Sequence, residues 1–235
     1  MLNPALNRPA LLREFKQQGR ILVPDVFQAE EADRIHRCLT EETPWDIAFV
    51  DDQGKGVSYT PEEWRAFPPA ERQRLVAGVQ KRAETEFQFV YNKLSILRHY
   101  EQGTHPQLYY HQLIETLCSW DFIQFARDIT GDTEINRVDA QAARYVAGQY
   151  LKQHNDLSNH EDRRYAYVLN FTRDWKSDWG GLLHFFDDHD NVTATYKPGY
   201  NTLMLFKVPV THSVSYVAPF ATGQRVTIVG WFTVR

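Results

Sequence analysis

This sequence has little cysteine, no long apolar run and no excess of positive charge. The only cysteines among its 235 residues are Cys38 and Cys118, so we expect neither a disulfide framework nor a cysteine-rich metal cluster, and a reducing compartment fits best. No stretch approaches the roughly 18 apolar residues of a membrane helix, and the first 20 residues lack the apolar core of a signal peptide. A net charge of −4 gives no reason to expect nucleic acid or a membrane as partner. We therefore expect a cytoplasmic protein.

Apolar and aromatic residues, in contrast, are plentiful. They make up 43% and 14% of the chain, which suits a globular protein with a large β-rich core or an aromatic-lined pocket. The chain contains no repeat, linker or low-complexity segment. We predict one domain over residues 1–235, in which residues 1–138 form a helical support with early strands and residues 139–235 form a β core.

Helical patterns dominate the first part. Apolar spacing predicts a helix that stops at Gly19, and Thr60 and Glu63 form a capping box at the start of another. Further helices are predicted over 28–42, from Pro69 to about Tyr91, and, as one bent helix or two, over 108–131. Residues 93–100 (KLSILRHY) are predicted to be an isolated strand. The segment 48–61 has two glycines and two aspartates, which indicates a mobile loop, and whether it acts as a lid stays open.

Short strands dominate from about residue 139. Their β-branched and aromatic content and their alternation of apolar and polar residues predict strands joined by tight turns, which is typical of a barrel or jelly roll. Gly180 and Gly181 are expected to allow a tight turn or bulge. The predicted strands are QAARYVAG, RYAYVLNF, GLLHFF, TATYK, NTLMLF, HSVSYV and RVTIVGWFTV.

A His-x-Asp pair, His154 and Asp156, follows the first of these strands. Two imidazoles and one carboxylate can hold iron on one face and leave the other positions open. Residues i and i+2 at a strand end point the same way, and His212, 58 residues after His154, begins a later strand and supplies a second imidazole. Taken alone, the pair is weak evidence, because a chain with nine histidines often contains one by accident.

Two further residues strengthen the interpretation. Arg225 opens the last strand, and a guanidinium binds a carboxylate through two hydrogen bonds. Tyr145 lies on the strand that leads to His154, so its hydroxyl can donate to the same anion. An iron triad with an arginine and a tyrosine suits a 2-oxo diacid, whose oxo-acid end chelates the metal while its distal carboxylate pairs with the arginine.

Other polar clusters are weaker candidates. His160 and Asp162 form a second His-x-Asp pair, but they fall inside the connecting loop rather than at a strand end. The run HFFDDHDN, with His184 and His189, is more typical of a solvated hairpin turn than of a metal site. Trp175 and Trp179 belong either to the core or to the wall of the substrate cleft, with the core favoured, and Trp231 is predicted to be in the core.

Together, these motifs resemble a known family. The segments YVAGQYLKQHND, RRYAYVLNF, DWGGLLHFF, PGYNTLMLFKVPVTHSVSYV and RVTIVGWF are similar, in this order, to the prolyl 4-hydroxylase-like branch of the Fe(II)/2-oxoglutarate-dependent dioxygenases. The similarity covers residues 139–235, and the first 138 residues match more loosely. The resemblance implies an α+β, mostly β fold: a double-stranded β-helix (jelly roll) with an N-terminal helical layer packed on it.

The resemblance also implies cofactors and residue roles. Fe(II) would be bound by His154, Asp156 and His212, while Arg225 and Tyr145 would bind the distal carboxylate of 2-oxoglutarate, with Thr227 as a less certain contact. The implied reaction uses molecular oxygen, converts 2-oxoglutarate to succinate and hydroxylates a C–H bond, with ascorbate as the reductant in assays.

Prolyl residues of a protein or peptide are the first expectation for the substrate, and a free amino acid or another small molecule stays open. The rival functions are a cupin-like metalloenzyme that does not use 2-oxoglutarate, against which Arg225 argues, and a non-catalytic barrel that binds a ligand or partner.

Overall fold

A computed structural model describes residues 1–159 and 161–234 of the chain. This part contains seven α-helices and thirteen β-strands, and none of its helices is long and apolar enough to cross a membrane. The helices are α1 (Arg8–Gln18), α2 (Ala29–Arg37), α3 (Pro61–Ala66), α4 (Pro69–Thr85), α5 (Ile96–Glu101), α6 (Tyr110–Leu117) and α7 (Trp120–Thr130). The strands are β1 (Arg20–Pro24), β2 (Asp46–Val50), β3 (Gly56–Tyr59), β4 (Phe89–Leu94), β5 (Arg137–Val138), β6 (Gln141–Tyr145), β7 (Tyr150–His154), β8 (Asp162–Phe171), β9 (Leu183–Phe186), β10 (Val192–Tyr196), β11 (Tyr200–Lys207), β12 (His212–Val214) and β13 (Arg225–Val234).

Several helix ends lie where the sequence predicts them. α1 ends at Gly19, which adopts a left-handed conformation, and its amide donates to Phe15 O. The capping box at α3 forms, because Thr60 and Glu63 each accept a hydrogen bond from the other's backbone N–H. The segment 108–131 forms two helices rather than one, and the second ends at Gly131. A π-helical turn, Cys38–Glu42, extends α2.

Residues 86–101 differ from the prediction. α4 ends at Thr85 rather than near Tyr91, and the strand comes earlier than predicted, as β4. Residues 96–101 are the helix α5 instead of a strand. Ile96 is fully buried in the core beneath the helices. A short apolar run fits a buried helical turn as well as a strand, so its composition does not distinguish the two.

The segment 48–61 also differs from the prediction, because most of it is a β-hairpin rather than a loop. β2 and β3 pair from Ile47–Tyr59 to Val50–Gly56, and β2 also pairs with β4. At the tip, the Asp51 side chain accepts hydrogen bonds from the backbone N–H groups of Gln53 and Lys55. The glycine and aspartate content therefore belongs to a turn between two paired strands.

The strands form one antiparallel sheet that curls into a half-barrel, in the order β1-β11-β8-β13-β6-β4-β7-β12-β9-β10. Strands of the N-terminal part lie within this order: β1 pairs with β11, and β4 joins β6 to β7. A 3₁₀ turn, Ser177–Trp179, precedes β9. The predicted mostly β core with N-terminal helices is confirmed.

The two faces of the long strands have different partners, because side chains alternate along a strand. On β13, Val226, Ile228 and Phe232 pack with the helices in the main core. The residues between them, including Thr227 and Trp231, line a cavity inside the half-barrel. The helices therefore support one face of the sheet, while the other face is available for a binding site.

Candidate metal centre and its cavity

The three predicted ligands meet where β7 ends and β12 begins. His154 is the last residue of β7, His212 is the first of β12, and the two are directly opposed in the antiparallel register. Their rings are 4.1 Å apart between centroids. Asp156 lies two residues past the end of β7, and its left-handed backbone (φ 62°) belongs to the turn that brings its carboxylate to the histidines. The strand pairing thus positions the imidazoles, and the turn positions the carboxylate.

The three side chains form a compact group. Asp156 Oδ1 is 3.4 Å from His154 Nε2, and Asp156 Oδ2 is 3.4 Å from His212 Nε2. One ligand atom from each residue lies within 4.8 Å of the others, and in the described part of the chain no other group of three or more His, Cys, Asp or Glu side chains meets this condition. The group lines a cavity of about 250 Å³. Two imidazoles and one carboxylate in this arrangement could hold a divalent transition metal.

Backbone carbonyls fix the tautomer of both histidines. Nδ1 of His154 lies 2.9 Å from Lys152 O, and Nδ1 of His212 lies 2.9 Å from Val210 O. A carbonyl oxygen can only accept, so each Nδ1 carries the proton and donates. Each Nε2 is then left with a free lone pair that faces Asp156. This second contact is the usual support of a metal-binding histidine.

The pKa shifts of His212 and Asp156 favour the binding of a cation. Burial, together with the nearby His154, lowers the pKa of His212 to about 4, so His212 is neutral at physiological pH. Burial alone raises the pKa of Asp156, but the contact with His154 and the charges that the imidazoles carry at the low pH where this carboxyl titrates outweigh it, and the pKa falls below its usual range. A neutral imidazole and an ionised carboxylate are the states that bind metal.

Arg225 lies in the same cavity with no acidic partner. It is 2% exposed, and no carboxylate of residues 1–159 or 161–234 lies within 4.0 Å of its guanidinium. One nitrogen donates to Gly181 O at 2.8 Å, and Nε has no acceptor in the described part of the chain. Burial lowers its pKa, although an arginine stays charged at neutral pH. A buried, unpaired guanidinium is costly, so this end of the cavity suits an anion.

Tyr145 and Thr227 surround that guanidinium. Tyr145 pairs with Arg225 across β6 and β13, and its ring lies 5.0 Å from Arg225 Cζ. Burial raises the pKa of Tyr145 well above its ordinary value, so its hydroxyl remains a donor. Thr227 is fully buried on the same face, and its hydroxyl donates to Ala143 O at 3.3 Å.

The double-glycine turn brings a carbonyl to Arg225. Gly180 and Gly181 both have positive φ values, 69° and 62°. A Cβ on Gly180 would lie 2.1 Å from Tyr216 O, so no other residue fits without moving the backbone. The predicted tight turn is confirmed, and its consequence is the hydrogen bond from Arg225 to Gly181.

The aromatic wall of the cavity contains residues that the sequence interpretation missed. Trp231, predicted to be core, is half-buried and lines the cavity, with Arg163 Cζ stacked 3.6 Å from its ring centroid. Its indole N–H lies near the Asp156 carboxylate and helps to lower the pKa of that group. The N–H has no acceptor at hydrogen-bond geometry in residues 1–159 and 161–234. Phe87 lies 5.9 Å from the His154 ring, and Tyr91 stacks on Tyr145 at 5.2 Å. Counting every second residue from Arg225 would have placed Trp231 on the cavity face.

The weaker candidates have other partners. His160 lies outside the described residues, and Asp162 pairs with Arg164 at 3.0 Å. In the run HFFDDHDN, the Asp187 carboxylate accepts hydrogen bonds from the backbone N–H groups of the residues that follow it, as expected of a hairpin turn. Trp175 is buried and donates to Gly180 O, so it belongs to the core as predicted.

Comparison with protein families gives a direct match for the part of the chain that carries this site. The model described as "2OG-Fe(II) oxygenase superfamily" matches residues 140–233. Residues 140–233 belong to the 2OG-Fe(II) oxygenases. This oxygenase segment contains both histidines, Asp156 and Arg225.

Curated relatives of part of this chain are named prolyl hydroxylases. "Prolyl 3-hydroxylase OGFOD1" of Xenopus laevis is 32% identical over 120 residues, and that of Mus musculus is 31% identical over 119 residues. Each alignment covers 48% of this chain but only 23% and 21% of the relatives. The predicted resemblance to the prolyl hydroxylase-like branch is confirmed.

Solved structures share the fold across nearly the whole chain. A Pseudomonas putida prolyl-4-hydroxylase has a TM-score of 0.56 at 14% identity and covers 97% of this chain and 99% of its own. A Trichoplax adhaerens prolyl hydroxylase has a TM-score of 0.63 at 13% identity, covering 97% and 89%. The predicted jelly roll with an N-terminal helical layer is therefore confirmed.

The residues present fit the cofactors that the superfamily implies, Fe(II) and 2-oxoglutarate. The donor set, two imidazole nitrogens and one carboxylate, is that of a facial iron triad. The unpaired Nε of buried Arg225 lies in the same cavity and suits the distal carboxylate of a diacid. Both cofactors thus have chemically matched groups in one cavity.

Proposed function

We propose that this chain is an Fe(II)/2-oxoglutarate-dependent dioxygenase that hydroxylates prolyl residues of a protein or peptide. Molecular oxygen is the co-substrate, and 2-oxoglutarate is converted to succinate and carbon dioxide. The observation that carries the proposal is the presence of the His154–Asp156–His212 group and the unpaired Arg225 in a single cavity. The relatives named prolyl 3-hydroxylases support a prolyl substrate.

Each site residue has a distinct proposed role. His154, Asp156 and His212 hold the iron through Nε2 and carboxylate oxygens. Arg225 binds the distal carboxylate of 2-oxoglutarate, and Tyr145 donates its hydroxyl proton to the same group. Thr227, on the same face of β13, is the third contact.

The cavity wall serves the same reaction. Bound iron would supply the oxygen activation that couples decarboxylation of 2-oxoglutarate to hydroxylation of a C–H bond. The protein's own contribution is to orient both substrates and to exclude water, for which the wall is suited by apolar residues such as Leu183, Val214 and Val229.

We also propose that residues 1–235 act as one dioxygenase domain, in which residues 1–138 support the core. The pairing of β1 with β11 and of β4 with β6 and β7 supports this, because N-terminal strands are built into the sheet that carries the site. We propose a cytoplasmic location, which the low cysteine content supports.

The central test uses the protein with Fe(II), ascorbate and 2-oxoglutarate. Without oxygen, we expect the weak visible charge-transfer band of a chelated 2-oxo acid, and after oxygen is admitted we expect slow succinate formation even without a prolyl substrate. Absorbance spectroscopy and mass spectrometry measure the two steps. A protein that gives neither band nor succinate is not an enzyme of this class.

Trp231 should contribute to metal binding through Asp156. The change Trp231→Phe keeps a ring for Arg163 to stack on and removes the N–H beside the carboxylate. We expect the Mn(II) affinity to fall by about 10- to 100-fold, as is typical for a residue that orients a metal ligand. Electron paramagnetic resonance of free Mn(II) measures this, with Trp179→Phe as the control. Equal affinities in the two variants would contradict the role of Trp231.

A further inference from the structure

One wall of the cavity belongs to strand β4, which precedes the segment that matches the superfamily. β4 contributes Phe89 and Tyr91 to this wall. The ring of Tyr91 stacks on the ring of Tyr145, with centroids 5.2 Å apart and planes 29° apart. Tyr145 in turn lies beside the guanidinium of Arg225. The stacking therefore fixes the Tyr91 ring inside the cavity.

The Tyr91 hydroxyl has a proton to donate. Gln141 Nε2 donates to the hydroxyl oxygen at 3.3 Å, and both side chains line the cavity. The hydroxyl itself donates to no acceptor in residues 1–159 and 161–234. Burial raises the pKa of Tyr91, so the group stays protonated at neutral pH. Tyr91 thus offers a neutral O–H donor to a molecule in the cavity.

The strand register places Gln141 away from the arginine end of the cavity. β6 and β13 pair Tyr145 with Arg225 and Gln141 with Val229. Four residues of a strand span about 13 Å, so the two pairs mark different ends of the cavity wall.

The end marked by Gln141 is the metal end. Its partner Val229 is two residues from Trp231, whose indole N–H lies near the Asp156 carboxylate. The hydroxyl of Tyr91 reaches Gln141 and so lies on this side. The charge of Asp156 also raises the pKa of Tyr91, as expected of a group near the metal ligands.

The other tyrosines of the described cavity wall are not equivalent to Tyr91. Tyr167 donates its hydroxyl proton to Asp139 O at 2.6 Å, and Tyr145 lies at the arginine end. Among these tyrosines, Tyr91 is therefore the one with a free proton at the metal end.

A chelating 2-oxo acid needs such a donor. Its carboxylate binds the metal through one oxygen and leaves the other oxygen without a metal. A buried carboxylate oxygen that accepts no hydrogen bond is costly, and the wall nearby includes the apolar side chains of Ala143 and Val229. A neutral hydroxyl satisfies this oxygen and adds no charge to the metal centre.

We propose that the Tyr91 hydroxyl donates a hydrogen bond to the metal-chelating carboxylate of 2-oxoglutarate, and that Gln141 orients this hydroxyl. The inference rests on the proposed function and deepens it, because it adds a binding residue at the end of 2-oxoglutarate opposite Arg225. It also makes the N-terminal part of the chain a direct contributor to the binding of 2-oxoglutarate, since Tyr91 lies on β4.

The test is Tyr91→Phe, which keeps the stacked ring and removes only the hydroxyl. We expect the dissociation constant of 2-oxoglutarate from the Mn(II)-loaded protein to rise about 10- to 150-fold, the equivalent of the 1.5–3 kcal/mol of a hydrogen bond to a charged group. Isothermal titration measures it. With Fe(II) and saturating 2-oxoglutarate without oxygen, the charge-transfer band should move to shorter wavelength, because the hydrogen bond no longer lowers the acceptor orbital of the oxo acid. Tyr167→Phe is the matched control and should change neither the affinity nor the band position.

Oxalate distinguishes the two ends of 2-oxoglutarate, because it chelates a metal but has no distal carboxylate. Tyr91→Phe should weaken the binding of oxalate to the Mn(II)-loaded protein, whereas Arg225→Ala should leave it unchanged. A Tyr91→Phe protein that binds 2-oxoglutarate and oxalate as tightly as the wild type overturns the proposal. Loss of 2-oxoglutarate affinity without loss of oxalate affinity also overturns it, since the hydroxyl would then act at the distal end.

Gln141→Leu tests the orienting role. It should raise the dissociation constant of 2-oxoglutarate less than Tyr91→Phe does, and the double variant should lose no more than Tyr91→Phe alone, because Gln141 acts through the hydroxyl. Additive losses would contradict this role.

The wild-type protein separates this proposal from the proposed function. If it shows the charge-transfer band and forms succinate, but Tyr91→Phe changes neither affinity nor band, only the role of Tyr91 is lost. If the wild type gives neither band nor succinate, the dioxygenase function itself is lost.

Discussion

Replacing Asp156 by alanine should remove metal binding from the cavity. The two carboxylate oxygens lie 3.4 Å from the two imidazole Nε2 atoms, so Asp156 supplies the only negative charge in the group. The variant keeps two imidazoles, which bind a divalent cation weakly without a carboxylate. We expect the Mn(II) affinity to fall by more than about 100-fold, since even a residue that only orients a ligand is worth 10- to 100-fold. Mn(II) titration and the metal-dependent shift in melting temperature measure this loss.

Asp162→Ala is the matched control, because it removes the carboxylate of the second His-x-Asp pair. Asp162 is largely exposed and pairs with Arg164 at the start of β8. Its loss should cost less than about 1 kcal/mol of stability and leave metal affinity unchanged. The corresponding histidine pair is His154→Ala and His160→Ala, of which only the first should lose metal. The reverse pattern in either pair would assign the site to residues 160 and 162.

Replacing Arg225 by alanine should strongly weaken 2-oxoglutarate binding and leave metal binding largely intact. The guanidinium is buried beside Tyr145 and lies in the cavity with no carboxylate from the described residues to pair with it. Removing one partner of a buried charge pair costs about 2–5 kcal/mol, which corresponds to roughly 30- to 4,000-fold in dissociation constant. Arg225→Lys should recover part of the affinity, because it keeps the charge but not the two parallel donors. Isothermal titration of 2-oxoglutarate into the Mn(II)-loaded protein gives these constants.

Arg144→Ala controls for the loss of a buried arginine as such. Arg144 lies on β6 next to Tyr145 but on the other face, where its guanidinium stacks 5.0 Å from the ring of Trp45. Its Nε, like that of Arg225, has no acceptor in residues 1–159 and 161–234. We expect this variant to lose thermal stability and to bind 2-oxoglutarate normally. If Arg225→Ala lost metal together with 2-oxoglutarate, the separation of the two roles would be wrong.

Which neighbouring residues of the site lie side by side could be predicted from the sequence, because this depends on local rules. Strand ends place residues i and i+2 on one side, which groups His154 with Asp156, and the last strand places Arg225 and Thr227 on one face. The partnership of His154 with His212 depends on the register between β7 and β12. No local pattern specifies that register, and only the resemblance to a family predicted it.

The segments that were predicted wrongly are those in which tertiary pairing overrides composition. Residues 48–61 contain the turn residues of a loop, yet Ala48 and Phe49 pair on both sides of β2 and are buried. The helix predicted from Pro69 was extended to about Tyr91 and so included the start of β4. Phe89 and Tyr91 alternate with smaller residues, which is the pattern of a strand.

The alternation along β13 has an evolutionary consequence. Even-numbered residues such as Val226 and Ile228 face the helices and maintain stability, whereas odd-numbered residues such as Arg225, Thr227 and Trp231 face the cavity. Mutations at the two sets are therefore selected for different reasons on a single strand. A descendant of this chain could therefore change the lining of its cavity at the odd positions without losing its fold.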